Sequence, residues 1–189
     1  MLYNDYAPFS NETYGETKPI LVAEFIKHLG INKKDTSFDL GSGIGNVVMQ
    51  VSMDTGCHAV GIEKDPRCHE AALHLLEQCK TIEPDLEEKI QFWCKDLMKD
   101  NINFLEATVI YISNWCFSQQ LQLELLNQFA TLKEGTKTVA LKSLFGQRSN
   151  QKRARTEPFL RQEPCIKGVV GGFSWTAAPV DCFVYTKIG

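Results

Sequence analysis

The 189-residue sequence lacks several features that mark whole classes of proteins. It contains no run of about 18 apolar residues, the minimum for a membrane-spanning helix, so no such helix is predicted. The first residues hold no basic stretch followed by an apolar one, and we therefore expect no secretory signal peptide. Lysine and arginine number 20 against 23 aspartates and glutamates, so the general basic excess of nucleic-acid-binding proteins is also missing.

Patterns typical of disulfides and metal sites are missing as well. The seven cysteines are an odd number and form no Cys-x-x-Cys pair, whereas disulfide frameworks use even numbers and zinc sites use close pairs. The four histidines also lack the spacing of metal ligands. We expect reduced thiols, a cytosolic or nuclear protein, and no bound metal.

Short apolar runs alternate with segments of helical periodicity, which predicts an α/β fold with a mostly parallel sheet. The length fits a single domain over residues 1–189. Helices are predicted over residues 18–29 and 45–55, after a cap at Asp65, and after a cap at Ser118. Strands are predicted over residues 36–40, 58–63, 90–94, 107–113, 136–142, 172–176 and 182–187. The last two are too close for a parallel crossover, so we expect an antiparallel hairpin there.

The most informative segment runs from residue 38 to residue 46, Phe-Asp-Leu-Gly-Ser-Gly-Ile-Gly-Asn. It follows a predicted strand and opens a helix, and its glycines permit a tight turn and close approach of the backbone to a ligand. The spacing is Gly-x-Gly-x-Gly, which differs from the Gly-x-Gly-x-x-Gly of dinucleotide-binding proteins. Asp39 precedes the first glycine, where an anion suits a ligand ammonium better than a pyrophosphate.

Two further carboxylates follow the next two predicted strands. Glu63 lies 18 residues after Gly45, at a position where a carboxylate can accept hydrogen bonds from both ribose hydroxyls. Asp96 follows the third strand and could accept from an adenine amino group. S-adenosylmethionine, a nucleoside that carries an amino acid, satisfies all three carboxylates. Taken singly, each of them could equally be a turn former at the end of its strand.

Six stretches distributed along the chain resemble a known family. They are Tyr6–Ser10, Tyr14–Thr17, Asp39–Val48, Gly61–Lys64, Val109–Phe117 and Ser174–Val180. The chain is similar to the disruptor-of-telomeric-silencing (DOT-type) histone H3 lysine methyltransferases. The Tyr-Gly-Glu-Thr and Ser-Trp-Thr segments carry the resemblance more specifically than the glycine loop, which many methyltransferases share.

The resemblance implies a class I methyltransferase fold, a Rossmann-like seven-stranded sheet, with S-adenosylmethionine as cofactor and a core-domain lysine of nucleosomal histone H3 as substrate in the nucleus. The whole chain would be one catalytic core, with residues 1–17 as a cofactor-closing loop. The implied cofactor-binding residues are Tyr14, Gly15, Glu16, Thr17, Asp39, Gly41, Ser42, Gly43, Gly45, Asn46, Glu63, Asp96 and Leu97. Catalytic roles fall on Tyr14, Ser113 and Asn114, and the lysine channel on Phe9, Phe117, Trp175 and Cys182.

The sequence departs from the family at two of these positions. Ser113 occupies the first place of a usual Asn-Asn doublet, and Cys182 replaces one aromatic residue of the lysine channel. We expect altered activity from the first change and a wider channel from the second. A class I methyltransferase for another protein or a small molecule therefore stays open, as does a SAM-binding module without catalysis.

Residues 145–171 are predicted to form a basic loop. The stretch from Arg148 to Arg161 contains five basic residues and one acid, a net charge of +4, which leaves −7 on the rest of the chain. The basic side chains are Arg148, Lys152, Arg153, Arg155 and Arg161. We expect them to contact phosphates or an acidic protein surface, although such charge runs are often merely solvated.

Overall fold

The computed structural model describes residues 15–145 and 158–189. In this part of the chain helices and strands mostly alternate as far as the fifth strand, except that two helices precede the third strand and no helix separates the third strand from the fourth; two more strands follow. The helices are Pro19–Leu29 (α1), Asn46–Thr55 (α2), Pro66–Lys80 (α3), Leu86–Lys89 (α4) and Gln119–Phe129 (α5). The strands are Thr36–Leu40 (β1), His58–Glu63 (β2), Ile90–Cys94 (β3), Val109–Ile112 (β4), Lys137–Ala140 (β5), Leu160–Ile166 (β6) and Cys182–Lys187 (β7).

The seven strands form one sheet in the order β3-β2-β1-β4-β5-β7-β6. Strands β1 to β5 are parallel, and β7 runs antiparallel between β5 and β6. The chain builds outward from β1 to β3 and then returns to place β4 on the other side of β1. Such a reversal opens a crevice beyond the carboxyl ends of the two central strands, where α/β proteins bind their ligands. The predicted α/β class with a mostly parallel sheet is confirmed.

Both faces of the sheet are covered, because successive residues of a strand point to opposite sides. In β4, Ile110 and Ile112 belong to a core that includes Phe129 of α5. Val109 and Tyr111 point the other way, into a core that includes Phe25 of α1. The Tyr111 and Phe25 rings stack with centroids 5.2 Å apart. A continuous run of β-branched and aromatic residues in β4 is therefore what a central strand requires.

Local capping signals explain where the helices begin and end. Asp65 accepts the backbone N–H of Arg67 at 2.8 Å, and Pro66 occupies the first turn of α3. Ser118 accepts the N–H of Leu121 at 3.2 Å at the start of α5. Gly30 ends α1 in the left-handed conformation, with φ of 68°. The predicted caps at Asp65 and Ser118 are confirmed, and each of the three caps removes a cost of unsatisfied backbone groups at a helix end.

The predicted strand over residues 172–176 is wrong. In the structure β6 lies earlier, at Leu160–Ile166, and Phe173 makes only an isolated bridge to Thr17. An edge strand needs no apolar run, and β6 contains three charged or amide side chains and Pro164, which lies where its register with β7 shifts. The antiparallel pair at the C-terminal edge of the sheet thus exists, but a long connection over residues 167–181 joins its strands.

The same finding corrects the boundaries of the predicted basic loop. Residues 160–166 of the interval 145–171 belong to β6, and Arg161 is an exposed residue of that strand. Arg148, Lys152, Arg153 and Arg155 lie outside the described residues.

Alanine at Gly45 is predicted to destabilise the fold more than alanine at Gly135, the matched control. Both glycines have left-handed backbone, with φ of 85° and 87°, which costs an alanine about 1–2 kcal/mol. A Cβ at Gly45 would lie 2.5 Å from Cζ of Phe92, whereas a Cβ at Gly135 would meet no atom within 4 Å. Overpacking adds about 1–3 kcal/mol at Gly45 alone. Urea denaturation measures both losses, and equal losses would contradict the steric account.

Candidate active site

A cavity of about 470 Å³ lies beyond the carboxyl ends of β1, β2 and β4. This volume falls in the range of small-molecule and cofactor sites. The cavity brings together thirteen of the residues predicted from the sequence: Gly15, Glu16, Thr17, Asp39, Gly41, Ser42, Gly43, Asn46, Glu63, Asp96, Leu97, Ser113 and Phe117. Their roles toward a ligand stay predictions.

The glycine loop between β1 and α2 is held against the end of β2. The N–H groups of Gly41 and Ser42 both donate to the carbonyl of Ile62, at 2.8 and 3.0 Å. The N–H of Gly43 donates to Oε2 of Glu63 at 2.9 Å. Gly41 has a φ of 84°, and a Cβ there would lie 3.4 Å from the Phe117 ring. The backbone of the loop therefore forms one wall of the cavity without a side chain in the way.

Glu63 connects this loop to the start of α3. While Oε2 accepts from Gly43, Oε1 accepts the N–H of Asp65 at 2.9 Å. An ionised carboxylate has about four acceptor positions, so each oxygen keeps capacity for a further hydrogen bond. Glu63 also lines the cavity. The carboxylate can therefore accept two hydroxyl groups of a ligand while the protein holds its orientation.

Asp39 presents the strongest electrostatic signal in the cavity. Asp39 is only 5% exposed, and its Oδ1 has no hydrogen-bond partner among the described residues. The Oγ atom of buried Ser42 likewise has no partner among them. Burial, and secondly the nearby charge of Glu63, raises the pKa of Asp39 to about 8. A buried acceptor without a partner costs free energy. A cationic group with donor hydrogens would relieve that cost, so the site fits a ligand ammonium.

Asp96 is held at the β3 side of the cavity by a local turn. Its Oδ1 accepts the N–H of Met98 at 2.9 Å, and its own N–H donates to the carboxylate of Asp100 at 2.7 Å. Asp96 and Leu97 thus present one carboxylate and one apolar side chain together. The strand order β3-β2-β1-β4 sets Asp96, Glu63 and Asp39 in a row, as an elongated ligand requires.

Tyr111 also lines the cavity, although the sequence predicted only a buried strand at this residue. Its Oη lies 2.5 Å from Oγ1 of Thr17, and its side chain is otherwise buried. Burial raises the pKa of the Tyr111 phenol far above its ordinary value, although hydrogen bonding to Thr17 acts in the opposite direction. The phenol oxygen of Tyr111, within the otherwise apolar run Val-Ile-Tyr-Ile, is the feature of the sequence that could have indicated this role. Other cavity residues not predicted include Lys64, Arg67, Cys68, Lys95 and Met98.

Two residues predicted for the site instead bind or pack elsewhere. Asn114 is fully buried and bonds the backbone of Lys142, accepting its N–H at 2.8 Å and donating to its carbonyl at 3.1 Å. It joins the chain after β4 to the chain after β5. Cys182 is also fully buried, in the core with α1, and burial raises the pKa of its thiol to about 12. Neither residue lines the cavity, because the Asn114 side chain bonds the backbone of Lys142 and the Cys182 side chain packs in the core.

The remaining predicted residues lie near the cavity or outside the described residues. Gly45 contacts the Phe92 ring behind the glycine loop. Trp175 is 37% exposed and lies against Gly15, where a Cβ would approach within 2.6 Å of the ring. Phe9 and Tyr14 belong to residues 1–14, which the structure does not describe.

The described residues contain neither a candidate metal centre nor a candidate membrane-spanning helix. Across residues 15–145 and 158–189, no group of three or more His, Cys, Asp or Glu side chains could hold a metal ion. No helix in the same ranges is both long enough and apolar enough to cross a membrane.

Comparisons with known proteins identify the family and the fold of the chain. Residues 1–187 match the family described as Histone methylation protein DOT1. A Dictyostelium discoideum protein named "Histone-lysine N-methyltransferase, H3 lysine-79 specific" is 29% identical over 192 residues, which cover 96% of this chain and 10% of that protein. An Emericella nidulans protein of the same name is 34% identical over 147 residues, 73% of this chain and 29% of that protein. The chain thus spans only a tenth to under a third of these relatives' lengths.

Among solved structures, an RNA methyltransferase from Salinibacter ruber in complex with S-adenosyl-L-homocysteine has a TM-score of 0.63. The two chains are 20% identical, and the match covers 91% of this chain and 93% of the other. The likeness establishes the fold of class I methyltransferases, which the resemblance implied.

Replacing Asp39 with asparagine is predicted to stabilise the protein at pH 8 and to have little effect at pH 4. The folded pKa of Asp39 lies above the ordinary value of 3.8, so stability that is present below about pH 4 declines as the pH rises through about 8. Urea denaturation at both pH values should give a gain at pH 8 above about 1.4 kcal/mol, the equivalent of one pKa unit. Asp85→Asn, at an exposed position, is the control; a gain that does not depend on pH would contradict the prediction.

Proposed function

Because the chain belongs to the DOT1 family of histone methylation proteins, we propose that it is an S-adenosylmethionine-dependent methyltransferase of a lysine in the core domain of nucleosomal histone H3. The observation that carries the proposal is the row of Asp96, Glu63 and Asp39 in one cavity, where Oδ1 of Asp39 has no hydrogen-bond partner among the described residues. The names of the relatives support the substrate. The substrate in turn implies a nuclear location.

Three groups of residues would hold the cofactor. Asp96 and Leu97 would bind the adenine, and Glu63 would accept both ribose hydroxyls. The methionine part would lie against Asp39, Gly41, Gly43 and Asn46, with residues 14–17 closing over it. Bound there, the cofactor supplies a methyl group on a sulfonium, ready for displacement by a nucleophile.

Asp39 would recognise the amino group of the methionine part as a carboxylate. Its pKa of about 8 keeps it mostly protonated at neutral pH before a ligand binds, and an adjacent ammonium favours the ionised form. Binding therefore requires Asp39 to release a proton below about pH 8. The buried charge that results is paired at once, which is the condition under which burial of an ion is tolerated.

The target lysine must lose its proton before it can attack. A free lysine has a pKa of about 10.4, and transfer into an apolar channel lowers it because burial disfavours the ammonium. Phe117 lines the cavity and supplies one apolar wall, and aromatic faces also tolerate methylated ammonium products. No histidine lies among the described lining residues. Catalysis would then rest on desolvation and alignment of the amine with the methyl group.

Two departures from the family bear on this chemistry in different ways. Ser113 lines the cavity and can affect the amine or the methionine part directly. The buried position of Cys182 weighs against a wider channel at that residue. Ser113 is therefore the position that keeps a different protein substrate or a small-molecule substrate open.

The basic segment would contact phosphates or an acidic surface of the nucleosome. Of its five basic side chains only Arg161 is described, and it is exposed and paired with Glu163 at 2.9 Å. An exposed pair of this kind contributes little stability, so Arg161 could exchange its partner at small cost. For the other four, only the sequence suggests this role, because they lie outside the described residues: Arg148, Lys152, Arg153 and Arg155.

Labelling with tritiated S-adenosylmethionine tests the substrate. We expect label on H3 in nucleosomes and much less on free H3, with no comparable label on other proteins of a cell lysate. Label on another protein or on small molecules would assign the chain a different methyltransferase activity. Cofactor binding without any label would reduce it to a binding module.

Replacing Glu63 with glutamine is predicted to weaken cofactor affinity about 10- to 100-fold. Hydrogen bonds to a charged group contribute about 1.5–3 kcal/mol, and the new amide NH₂ would also face the N–H of Gly43 or Asp65. Calorimetric titration with S-adenosylhomocysteine measures the loss. Glu70→Gln, at an exposed position of α3, is the control; a loss smaller than about twofold at Glu63 would rule out its role in ribose binding.

A further inference from the structure

The connection between β6 and β7, residues 167–181, pairs with the segment Gly15–Lys18 through backbone and side-chain hydrogen bonds. We call these the β6–β7 loop and the N-terminal segment. Ser174 bonds Glu16 twice: its Oγ accepts the N–H of Glu16 at 2.9 Å, and its N–H donates to the Glu16 carbonyl at 2.9 Å. The N–H of Lys18 donates to the carbonyl of Gly172 at 2.8 Å. The two segments thus form a short antiparallel contact around the bridge of Thr17 and Phe173.

Side chains of the β6–β7 loop complete this contact. A Cβ on Gly15 would lie 2.6 Å from Cε3 and 3.0 Å from Cζ3 of Trp175, so the ring packs directly on the backbone. Phe173 is buried, and its ring centroid lies 4.4 Å from that of Trp175. The N-terminal segment therefore rests on a pair of aromatic rings as well as on hydrogen bonds.

The base of the β6–β7 loop is fixed independently of that contact. The carboxylate of Asp181 accepts the N–H of Gly168 at 2.9 Å and pairs with Lys167 at 2.7 Å. Gly168 approaches the backbone of Val180 so closely that a Cβ would lie 2.4 Å from its nitrogen. A loop closed at its base in this way presents Ser174 and Trp175 at a defined place.

The opposite side of the N-terminal segment faces the cavity. Gly15, Glu16 and Thr17 all line it, and Thr17 bonds the phenol of Tyr111, the neighbour of Asp39 across the β1–β4 pair. The segment therefore lies between the β6–β7 loop and the part of the cavity assigned to the methionine end of the cofactor.

We propose that Ser174 is a positioning residue for cofactor binding: it orients the Glu16 peptide and so holds Gly15–Thr17 over the methionine end. The inference rests on the proposed function, since it presumes that S-adenosylmethionine occupies the cavity. Because Trp175 is the next residue along the chain, the same loop joins the cofactor segment to a side chain assigned to the lysine channel.

Binding measurements with Ser174→Ala, Ser174→Thr and Thr176→Ala test the proposal. Alanine removes the hydroxyl acceptor and keeps the backbone bond, and Ser174 is exposed, so the variant should keep the melting temperature of the wild type. Calorimetry should show S-adenosylmethionine and S-adenosylhomocysteine bound about 3- to 10-fold more weakly. Adenosine, which lacks the methionine part, should lose less than twofold.

The other two variants separate positioning from general damage to the loop. Ser174→Thr restores a hydroxyl and should recover most of the affinity. The Thr176 hydroxyl accepts the N–H of Ala178 within the loop and makes no hydrogen bond to the described part of the N-terminal segment, so Thr176→Ala should bind as the wild type does. Its readout is again the affinity for S-adenosylhomocysteine.

The outcomes distinguish the inference from the function on which it rests. If the wild type binds S-adenosylmethionine and Ser174→Ala binds it equally well, the role of Ser174 is refuted and the proposed function stands. If Ser174→Ala weakens adenosine as much as S-adenosylhomocysteine, Ser174 supports the fold rather than the segment. If the wild type binds none of the three ligands, the proposed function itself is overturned, and the inference with it.

Discussion

The carboxylate of Glu63 bonds two backbone N–H groups, and the shape of the cavity depends on this interaction. One oxygen holds the glycine loop and the other holds the entry to α3. Charged acceptors form the stronger hydrogen bonds of proteins, so a single side chain at the end of β2 fixes the two turns on either side of it. The Glu63 carboxylate thus both orients the two turns and faces the ligand cavity, so its loss would disturb the turns and the ligand contact together.

Asp39 represents the opposite arrangement, because no residue in the described part of the chain bonds its Oδ1. The backbone satisfies Glu63 before any ligand binds. Asp39, in contrast, is buried, its pKa is raised, and none of the described residues bonds its Oδ1. Buried polar groups are normally paired, and exceptions concentrate where a protein stores free energy for function. Glu63 therefore shapes the site, whereas Asp39 is available to pair with a cationic group of a ligand.

The sequence predicts the centre of this fold better than its edge. β1, β2 and β3 agree with their predicted bounds because parallel strands at the centre of a sheet are apolar runs between turn residues. β6 was not predicted, because an edge strand tolerates polar residues and proline, here Arg161, Glu163 and Pro164, and so lacks an apolar run. The position of the glycine loop between a strand and a helix indicated a ligand site, and the resemblance supplied its residues, whereas the burial of Cys182 and the bond of Asn114 to Lys142 depend on partners far away in sequence. No local pattern contains that information.

The antiparallel placement of β7 has a consequence for how the protein forms. β7 follows β6 in the chain but lies between β5 and β6, so β6 has no strand to join until β7 has left the ribosome. During that interval β5 presents an open edge and the β6 segment stays unpaired. Non-local pairing of this kind slows folding and exposes sheet edges to aggregation. The polar, proline-containing sequence of β6 suits a segment that stays exposed to water until β7 is available to pair with it.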